Sequence, residues 1–139
     1  MTTVAFDGTT LAADKLMGGR HTVCKIFQIT EHLWFAGAGD YCQIVEVAEW
    51  LKAGSPADDK PTVDGDSDYL LIDRGKPYWL TVPYLRKVKI NEKLAALGSG
   101  SMYALGAMAA GADARAAVKI ASSLDPNTGK GITVIKVRP

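Results

Sequence analysis

The sequence predicts an α+β fold in which helices cover the faces of antiparallel sheets. Its β-prone segments come in pairs around turn-forming residues, a spacing that indicates hairpins. The apolar period becomes helical over 40–51 and again in two alanine-rich segments, 101–110 and 113–124. Alanine at many helical positions lets a helix approach another helix or a sheet closely, which suits a layered arrangement.

The first third of the chain is predicted to hold two hairpins and one helix. The predicted strands are 2–6, 9–13, 22–28 and 33–36. Asp7 and Gly8 favour a two-residue type I′ turn between the first two strands. Asp40 is the expected N-cap of the helix, and Gly54 and Pro56 end it.

The rest of the chain continues with strands, then helices, then one last strand. Residues 57–68 are rich in Asp, Pro and Gly and are expected to form an exposed loop. Segments 69–73 and 77–82 predict a third hairpin, and the two alanine-rich helices follow. A turn at 126–129 then leads into a final strand over 132–137.

Composition and charge predict one globular domain spanning 1–139. The chain has 139 residues, 47% of them hydrophobic, and a net charge of +1. A nearly neutral chain lacks the basic surface that nucleic-acid binding needs, so no nucleic acid is expected. Because no apolar run reaches the length of a membrane span and the N-terminus does not resemble a signal peptide, we expect a cytoplasmic protein without a membrane partner.

No metal or other cofactor is expected. Cys24 and Cys42 lack the spacing of metal ligands, and His21 and His32 do not group with them. The loop over 98–101 contains glycines but no following lysine, so it is not a nucleotide-binding phosphate loop.

The start of the chain offers a nucleophile next to its own base. Removal of Met1 would leave Thr2 with both a hydroxyl and a free α-amino group. An α-amino group has a pKa of about 7.7 to 8.0, so part of the population is neutral near pH 7 and can accept the hydroxyl proton. Other chains start with Met-Thr by chance, so the prediction depends on the rest of the sequence.

Two further polar residues stand at strand positions. Asp14 falls where the second predicted strand ends, and it can be read as an ordinary turn residue. Lys25 lies inside a strand, where a lysine more often extends to solvent. The segment 125–129 can likewise be read as a plain helix-to-strand turn.

Taken together and in order, these features resemble the threonine peptidases of the proteasome β-subunit and HslV family, within the N-terminal nucleophile hydrolases. The resemblance runs along nearly the whole chain. The matching segments are Thr2-Thr3, Leu11-Ala12-Ala13-Asp14, Cys24-Lys25-Ile26, Phe35-Ala36-Gly37-Ala38, Leu97-Gly98-Ser99-Gly100-Ser101 with Tyr103-Ala104, and Asp125 with Thr128 and Gly129. They are similar, in turn, to the family's double-threonine start, its Ala-Asp strand end, its Lys before an aliphatic residue, its Ala-Gly-Gly turn, its Gly-Ser-Gly with Tyr-Ala, and its late Asp, Ser and Gly.

The resemblance implies a fold and an activity. The fold is a four-layer αββα sandwich of two antiparallel sheets flanked by helices. The activity is cleavage of peptide bonds in a self-compartmentalising homo-oligomeric ring, with protein or peptide substrates and an AAA+ unfoldase as a partner. The alternatives are a non-catalytic or small-amide-hydrolysing relative, a structural ring subunit, and a binding or scaffold domain in which Thr2 is incidental.

The resemblance also implies roles for individual residues. The Thr2 hydroxyl would attack the carbonyl, and Lys25, held charged by Asp14, would stabilise the deprotonated hydroxyl. Backbone amides at Gly37 or Ala38 would donate to the oxyanion. Ser99, Asp125 and Thr128 would hold the α-amine of Thr2 and its water by hydrogen bonds. Phe35 would line the pocket for a substrate side chain.

Some features depart from the family pattern. The opening hairpin and the segment 14–25 are shorter than usual, and the polar stretch 57–68 stands where the family has a second helix. Thr128 replaces the commoner serine but keeps a hydroxyl. These departures leave the number of subunits in a ring open.

Overall fold

The structure, a computed structural model, describes residues 2–138 and confirms the α+β class. The strands of this part are β1 Val4–Phe6, β2 Thr10–Asp14, β3 Leu16–Met17, β4 His21–Thr22, β5 Ile26–Gln28, β6 Leu33–Ala38, β7 Asp68–Asp73, β8 Lys76–Leu80, β9 Lys87–Lys89, β10 Ala95–Leu97 and β11 Ile132–Lys136. The helices are α1 Tyr41–Lys52, α2 Ser101–Ala109 and α3 Ala114–Leu124. The predicted removal of Met1 concerns a residue outside the described part.

The strands form two main sheets, and every pairing in them is antiparallel. The first sheet has the order β10-β1-β2-β11 and the second the order β5-β6-β7-β8-β9. Strands β3 and β4 pair only with each other and form a separate two-stranded ribbon within the described chain. All three predicted hairpins are therefore present, although the strand predicted over 22–28 is shortened to β5, so that Lys25 lies just before a strand and not inside one.

The turn of the opening hairpin differs from the predicted two-residue type. Phe6 of β1 pairs with Leu11 of β2, so four residues, 7–10, lie between these paired positions. The Asp7 carboxylate accepts hydrogen bonds from the backbone N–H groups of Thr9 and Thr10, which makes a wider turn stable. The turn between β7 and β8 does have two residues, Arg74 and Gly75, both with positive φ, as a type I′ turn requires.

Helices α1 and α3 begin at aspartate N-caps, and Asp40 is the cap that the sequence predicts. The Asp40 carboxylate accepts from the N–H groups of Cys42 and Gln43 at the start of α1. Asp113 does the same for Ala116 at the start of α3. None of the three helices in the described chain is long and apolar enough to cross a bilayer.

Three apolar clusters hold the elements together. One contains residues of both sheets, with Val4, Phe6, Leu11 and Ala13 from the first and Ala36, Ala38, Leu70 and Ile72 from the second. Another joins the opposite face of the second sheet to α1 through Phe35, Tyr69 and Leu71 with Ile44, Val47 and Leu51. The last joins the opposite face of the first sheet to α2 and α3 through Ala5, Ala12 and Ala96 with Ala104, Ala117 and Val118. The small side chains in this last cluster agree with the close helix packing that the alanines predicted.

The loop over 57–68 is less exposed than its composition suggested. Val63 is buried in the cluster beneath α1, and Ser67 is fully buried. The Ser67 hydroxyl donates to the side-chain oxygen of Gln43 on α1. One apolar residue and one satisfied hydroxyl are enough to fix part of a polar segment against a helix.

Candidate active site

Three predicted site residues meet where strands of the two sheets begin or end. Thr2 precedes β1, Asp14 is the last residue of β2, and Lys25 immediately precedes β5. The Lys25 Nζ lies 2.8 Å from the Thr2 hydroxyl oxygen and 3.0 Å from Asp14 Oδ1. All three side chains are at most 3% exposed, so the ion pair of Asp14 and Lys25 is shielded from water.

Asp14 is a buried carboxylate, and both of its oxygens accept hydrogen bonds. Besides Lys25, it accepts from the backbone N–H groups of Thr3 at 3.0 Å, Leu16 at 3.3 Å and Gly129 at 3.0 Å. A buried charge is tolerated when it is paired and hydrogen-bonded in this way. Asp14 therefore fixes Lys25 and at the same time ties the start of β1 to the turn that precedes β11.

Burial lowers the pKa of Lys25 below its ordinary value, because desolvation disfavours the ammonium form. The charge of Asp14 and its hydrogen bond to Lys25 act in the opposite direction but do not outweigh the burial. Lys25 therefore releases its proton more readily than a surface lysine does, while it donates a hydrogen bond to the Thr2 hydroxyl.

The other three predicted residues form a second group on the nitrogen side of Thr2. The Thr2 backbone nitrogen donates to the Ser99 hydroxyl at 3.2 Å. Both the Ser99 hydroxyl, at 2.5 Å, and the Thr128 hydroxyl, at 2.7 Å, donate to Asp125 Oδ2. The structure thus brings the six predicted side chains together around Thr2. Lys25 contacts the Thr2 hydroxyl and is paired with Asp14. Ser99 contacts the Thr2 nitrogen, and Asp125 links Ser99 to Thr128.

Asp125 is held in its charged form. Its burial opposes ionisation, but hydrogen bonds from Ser99, Thr128 and the N–H of Asn127 outweigh the burial and lower its pKa. A charged carboxylate only accepts hydrogen bonds, so the hydroxyl protons of Ser99 and Thr128 point toward Asp125.

A glycine turn encloses Thr2 from the side of β10. Gly98 has φ +92°, a conformation that other residues rarely adopt, and a Cβ there would lie 2.0 Å from the Thr2 carbonyl oxygen. The N–H of Gly100 donates to that same oxygen at 3.3 Å. The Gly-Ser-Gly segment therefore lets the backbone approach Thr2 closely while it supplies the Ser99 hydroxyl.

A cavity of about 340 Å³ opens beside the Thr2 hydroxyl. Its wall is mainly apolar and includes Leu16, Met17, Val23, Tyr41 and Ile44, with Gly18 and Gly19 at the tip of the β3–β4 ribbon. Thr2 and Lys25 supply polar groups, and Gly39 and Asn127 also line it. A ligand that reached Thr2 through this cavity would find space for an apolar group.

Gly37, Ala38 and Phe35, the residues predicted for the oxyanion contact and the substrate pocket, are not among the described residues that line this cavity. Gly37 and Ala38 lie inside β6, and the Gly37 N–H already donates to the Lys25 carbonyl oxygen at 3.4 Å. Phe35 is completely buried beneath α1, with its ring 5.4 Å from that of Tyr69. Side chains alternate along a strand, and this alternation directs Phe35 toward the helix.

The structure adds residues that sequence reasoning missed. Gly39, with φ +120°, directly follows Gly37 and Ala38 and lines the cavity. Its position between a strand and the N-cap Asp40 was a usable signal, since strand-to-helix turns often need glycine. Asn127 at the cavity and the hydroxyl of Thr3, which contacts Thr128, depend on contacts between distant parts of the chain.

The described residues contain no group of three or more His, Cys, Asp or Glu side chains arranged to hold a metal ion. Cys24 and Cys42 are exposed free thiols.

Comparisons with known proteins give likenesses at the level of structure. No protein-family model matches the chain, and no curated protein sequence matches it. The structure is similar to Thiobacillus denitrificans BPH, with a TM-score of 0.65 and 21% sequence identity over 100% of both chains. It is also similar to Thiobacillus denitrificans BPH in complex with epoxomicin, with a TM-score of 0.67 and 19% identity over 99% of both chains. At these identities the likeness shows a shared overall fold.

Proposed function

We propose that this chain is a threonine peptidase in which removal of Met1 exposes Thr2 as the nucleophile. The observation that carries the proposal is the buried contact of 2.8 Å between the Thr2 hydroxyl and Lys25, which is itself paired with Asp14. A hydroxyl beside a buried cation, next to a cavity, is the arrangement expected of an activated nucleophile.

We also propose that the fold is the four-layer αββα sandwich of the N-terminal nucleophile hydrolases, built as a single domain. The three apolar clusters support this, since one contains residues of both sheets and the others join each sheet to helices. The epoxomicin complex of the structural neighbour adds support, because epoxomicin is a proteasome inhibitor.

The proposed reaction has two stages. The Thr2 hydroxyl passes its proton to the neutral α-amine, directly or through a water, while its oxygen attacks the peptide carbonyl carbon. The proton then moves to the leaving nitrogen, the C–N bond breaks, and an ester to Thr2 remains. Water activated by the same amine attacks this ester, which releases the acid and returns the proton to the Thr2 oxygen.

Lys25 and Asp125 act on different atoms of Thr2, Lys25 on the hydroxyl oxygen and Asp125, through Ser99, on the nitrogen. The Lys25 ammonium lowers the energy of the Thr2 oxygen as it loses its proton, and Asp14 keeps the ammonium in place. Asp125 fixes the Ser99 hydroxyl, which accepts a hydrogen bond from the Thr2 nitrogen. That contact leaves the lone pair of a free amine available for the proton transfer.

We assign the oxyanion contact to the backbone N–H of Gly39, which lines the cavity together with Thr2 and Lys25. The apolar cavity wall favours a substrate with an apolar side chain next to the scissile bond. The proposal extends to a self-compartmentalising homo-oligomeric ring in the cytoplasm, with protein or peptide substrates and an AAA+ unfoldase that delivers them.

The test compares substitutions of the nucleophile. Thr2→Ala is expected to abolish hydrolysis of fluorogenic peptides, because the alanine has no hydroxyl. Thr2→Ser keeps a hydroxyl and should retain part of the activity. Thr62→Ala, at an exposed position in the loop over 57–68, is the matched control and should equal the parent. Intact-mass measurement accompanies each assay and reports whether Met1 has been removed.

Two results would count against the proposal. Unchanged hydrolysis by Thr2→Ala would exclude Thr2 as the nucleophile. A parent that starts at Thr2 but hydrolyses neither peptides nor proteins would favour the non-catalytic or small-amide-hydrolysing alternatives, which assays on small amides then separate.

A further inference from the structure

The hydrogen bonds around Thr3 have a defined direction. The Thr3 and Thr128 hydroxyl oxygens lie 2.8 Å apart, and Thr128 also donates to Asp125 at 2.7 Å. A hydroxyl has one proton, and the Thr128 proton is committed to a carboxylate that can only accept. Thr3 is therefore the donor to Thr128.

These bonds close a ring on the dipeptide of Thr2 and Thr3. The ring runs from the Thr3 hydroxyl to Thr128, then to Asp125 Oδ2, where the Ser99 hydroxyl also donates. The hydrogen bond from the Thr2 nitrogen to the Ser99 hydroxyl closes the ring, because Thr2 and Thr3 are joined by a peptide bond. The residue after the proposed nucleophile thus holds the far side of the network that contacts the nucleophile's nitrogen.

A glycine makes room for the Thr3 hydroxyl. Gly100 has φ −93° and ψ 7°, outside the positive-φ region that favours glycine, so its backbone does not require glycine. A Cβ at this position would lie 1.9 Å from the Thr3 hydroxyl oxygen and 3.2 Å from that of Thr128. The absence of a side chain at Gly100 therefore leaves the room that the Thr3 hydroxyl occupies, and the Ala121 Cβ and the Thr128 hydroxyl are the next nearest atoms.

The backbone of Thr3 is fixed independently of its hydroxyl. Its N–H donates to Asp14 Oδ1 at 3.0 Å, and its carbonyl oxygen accepts from the Asp14 N–H at 3.1 Å. The side chain is fully buried. Removal of the hydroxyl alone should therefore leave the strand in place and disturb chiefly Thr128 and the groups bonded to it.

We propose that the Thr3 hydroxyl is a positioning residue for Thr2, acting through Thr128, Asp125 and Ser99 to hold the Thr2 nitrogen in its reactive orientation. This inference rests on the proposed function, since orientation of the nitrogen matters only if Thr2 is the nucleophile. Thr3 itself touches no reacting atom in this scheme.

The test is a double-mutant cycle on kcat with Thr3→Val and Thr128→Val. Valine keeps the β-branched shape of threonine and removes only the hydroxyl. We expect Thr3→Val to lower kcat about 3- to 10-fold, the effect of one lost hydrogen bond, with little change in KM. In the Thr128→Val background the same substitution should cause no further loss, because the path from Thr3 is already broken.

Two variants control for packing. Thr3→Ser restores the hydroxyl and should return kcat to within about twofold of the parent, whereas a purely steric role would not be rescued by the smaller residue. Thr62→Val, at the exposed loop position, should leave kcat unchanged. Thermal melting of each variant confirms that the assayed protein is folded.

Several results would overturn the inference. They are an unchanged kcat in Thr3→Val, independent losses that multiply in the double variant, and a Thr3→Ser variant as slow as Thr3→Val. If Thr3→Val does not fold, Thr3→Ala, which introduces no new atoms, takes its place. Failure of both to fold while Thr3→Ser folds would assign the hydroxyl to stability and would also overturn the proposal.

The outcomes also separate this inference from the proposed function. A parent with no activity removes the proposed function and the positioning role with it. An active parent that loses activity in Thr2→Ala but keeps it in Thr3→Val leaves the proposed function intact and removes only the role of Thr3.

Discussion

Replacement of Lys25 by methionine should separate catalysis from folding at this site. Methionine has a similar length but no charge, so the substitution removes the cation that contacts the Thr2 hydroxyl and leaves Asp14 without its ion-pair partner. Because Lys25 is 3% and Asp14 0% exposed, water cannot replace the lost partner freely.

The cost to stability depends on the contacts that remain. Removal of one partner of a buried pair costs about 3 to 5 kcal/mol. Asp14 keeps three backbone N–H donors, from Thr3, Leu16 and Gly129, so we expect a loss of about 3 kcal/mol, at the low end of that range. A loss of this size lowers the melting temperature of a domain of this length by roughly 10 °C and leaves the protein folded at 25 °C.

The cost to catalysis should be similar in free energy to the cost to stability, and in an assay at 25 °C it appears as a large loss of rate in a protein that is still folded. Lys25 donates to the oxygen that becomes charged, and removal of one such donor lowers kcat by about 10²- to 10³-fold. The assays are thermal melting followed by peptide hydrolysis at 25 °C. Lys119→Met, at an exposed position on α3, is the matched control and should change neither quantity.

The pH dependence provides a second readout of the same substitution. The pKa of Lys25 is lowered in the folded protein, so the unfolded chain binds more protons at pH values between the folded pKa and the ordinary lysine pKa of about 10.4. The parent should therefore gain stability relative to Lys25→Met as the pH rises through this window. A folded Lys25→Met protein with kcat within a few-fold of the parent would refute the role assigned to Lys25, and a variant that cannot fold would favour a purely structural lysine.

Three other predictions concern the surroundings of the site. In melting experiments, Gly98→Ala should lower stability several-fold more than Gly54→Ala. Both glycines have φ +92°, so the backbone strain is similar, but only at Gly98 would the new Cβ clash with Thr2, since Gly54 has open space around it. Asp7→Ala should lower the melting temperature by an amount equivalent to about 1 to 2 kcal/mol and leave kcat unchanged, because it removes the acceptor that joins the opening hairpin to the first turn of α3. Because the pKa of Asp125 is lowered in the folded protein, this residue should stabilise the parent above about pH 3.9, and the contribution should be lost as the pH falls through the folded pKa. Melting curves of Asp125→Asn should not show this loss on acidification.

Much of the local structure could be predicted because it depends on neighbouring residues. Asp40 caps α1 and Asp113 caps α3 through hydrogen bonds to groups two or three positions away. The turn at Arg74 and Gly75 likewise needs only its own two residues to take positive φ. The opening turn is wider than the predicted pair of Asp7 and Gly8, because the Asp7 side chain accepts additional hydrogen bonds from Thr9 and Thr10 within the loop.

The site was less predictable, because its contacts cross long stretches of chain. Asp14 and Lys25 stand out in the sequence as polar residues among β-prone segments, but only the family resemblance places them in one site. Phe35 packs in the cluster beneath α1, a placement that the sequence does not fix, because nothing local says which face of a strand meets a helix. The bond between Thr3 and Thr128 joins residues 125 positions apart, and no turn or periodicity reports such a contact.

The central claim is that Thr2, exposed by loss of Met1, is the reacting residue. Incubation with epoxomicin, followed by peptide mapping in a mass spectrometer, tests it most directly. We predict a single covalent adduct on the N-terminal peptide, with that peptide starting at Thr2, and no adduct in Thr2→Ala. An N-terminal peptide that retains Met1 and stays unmodified while the protein hydrolyses peptides, or an adduct on any other residue, would contradict the account.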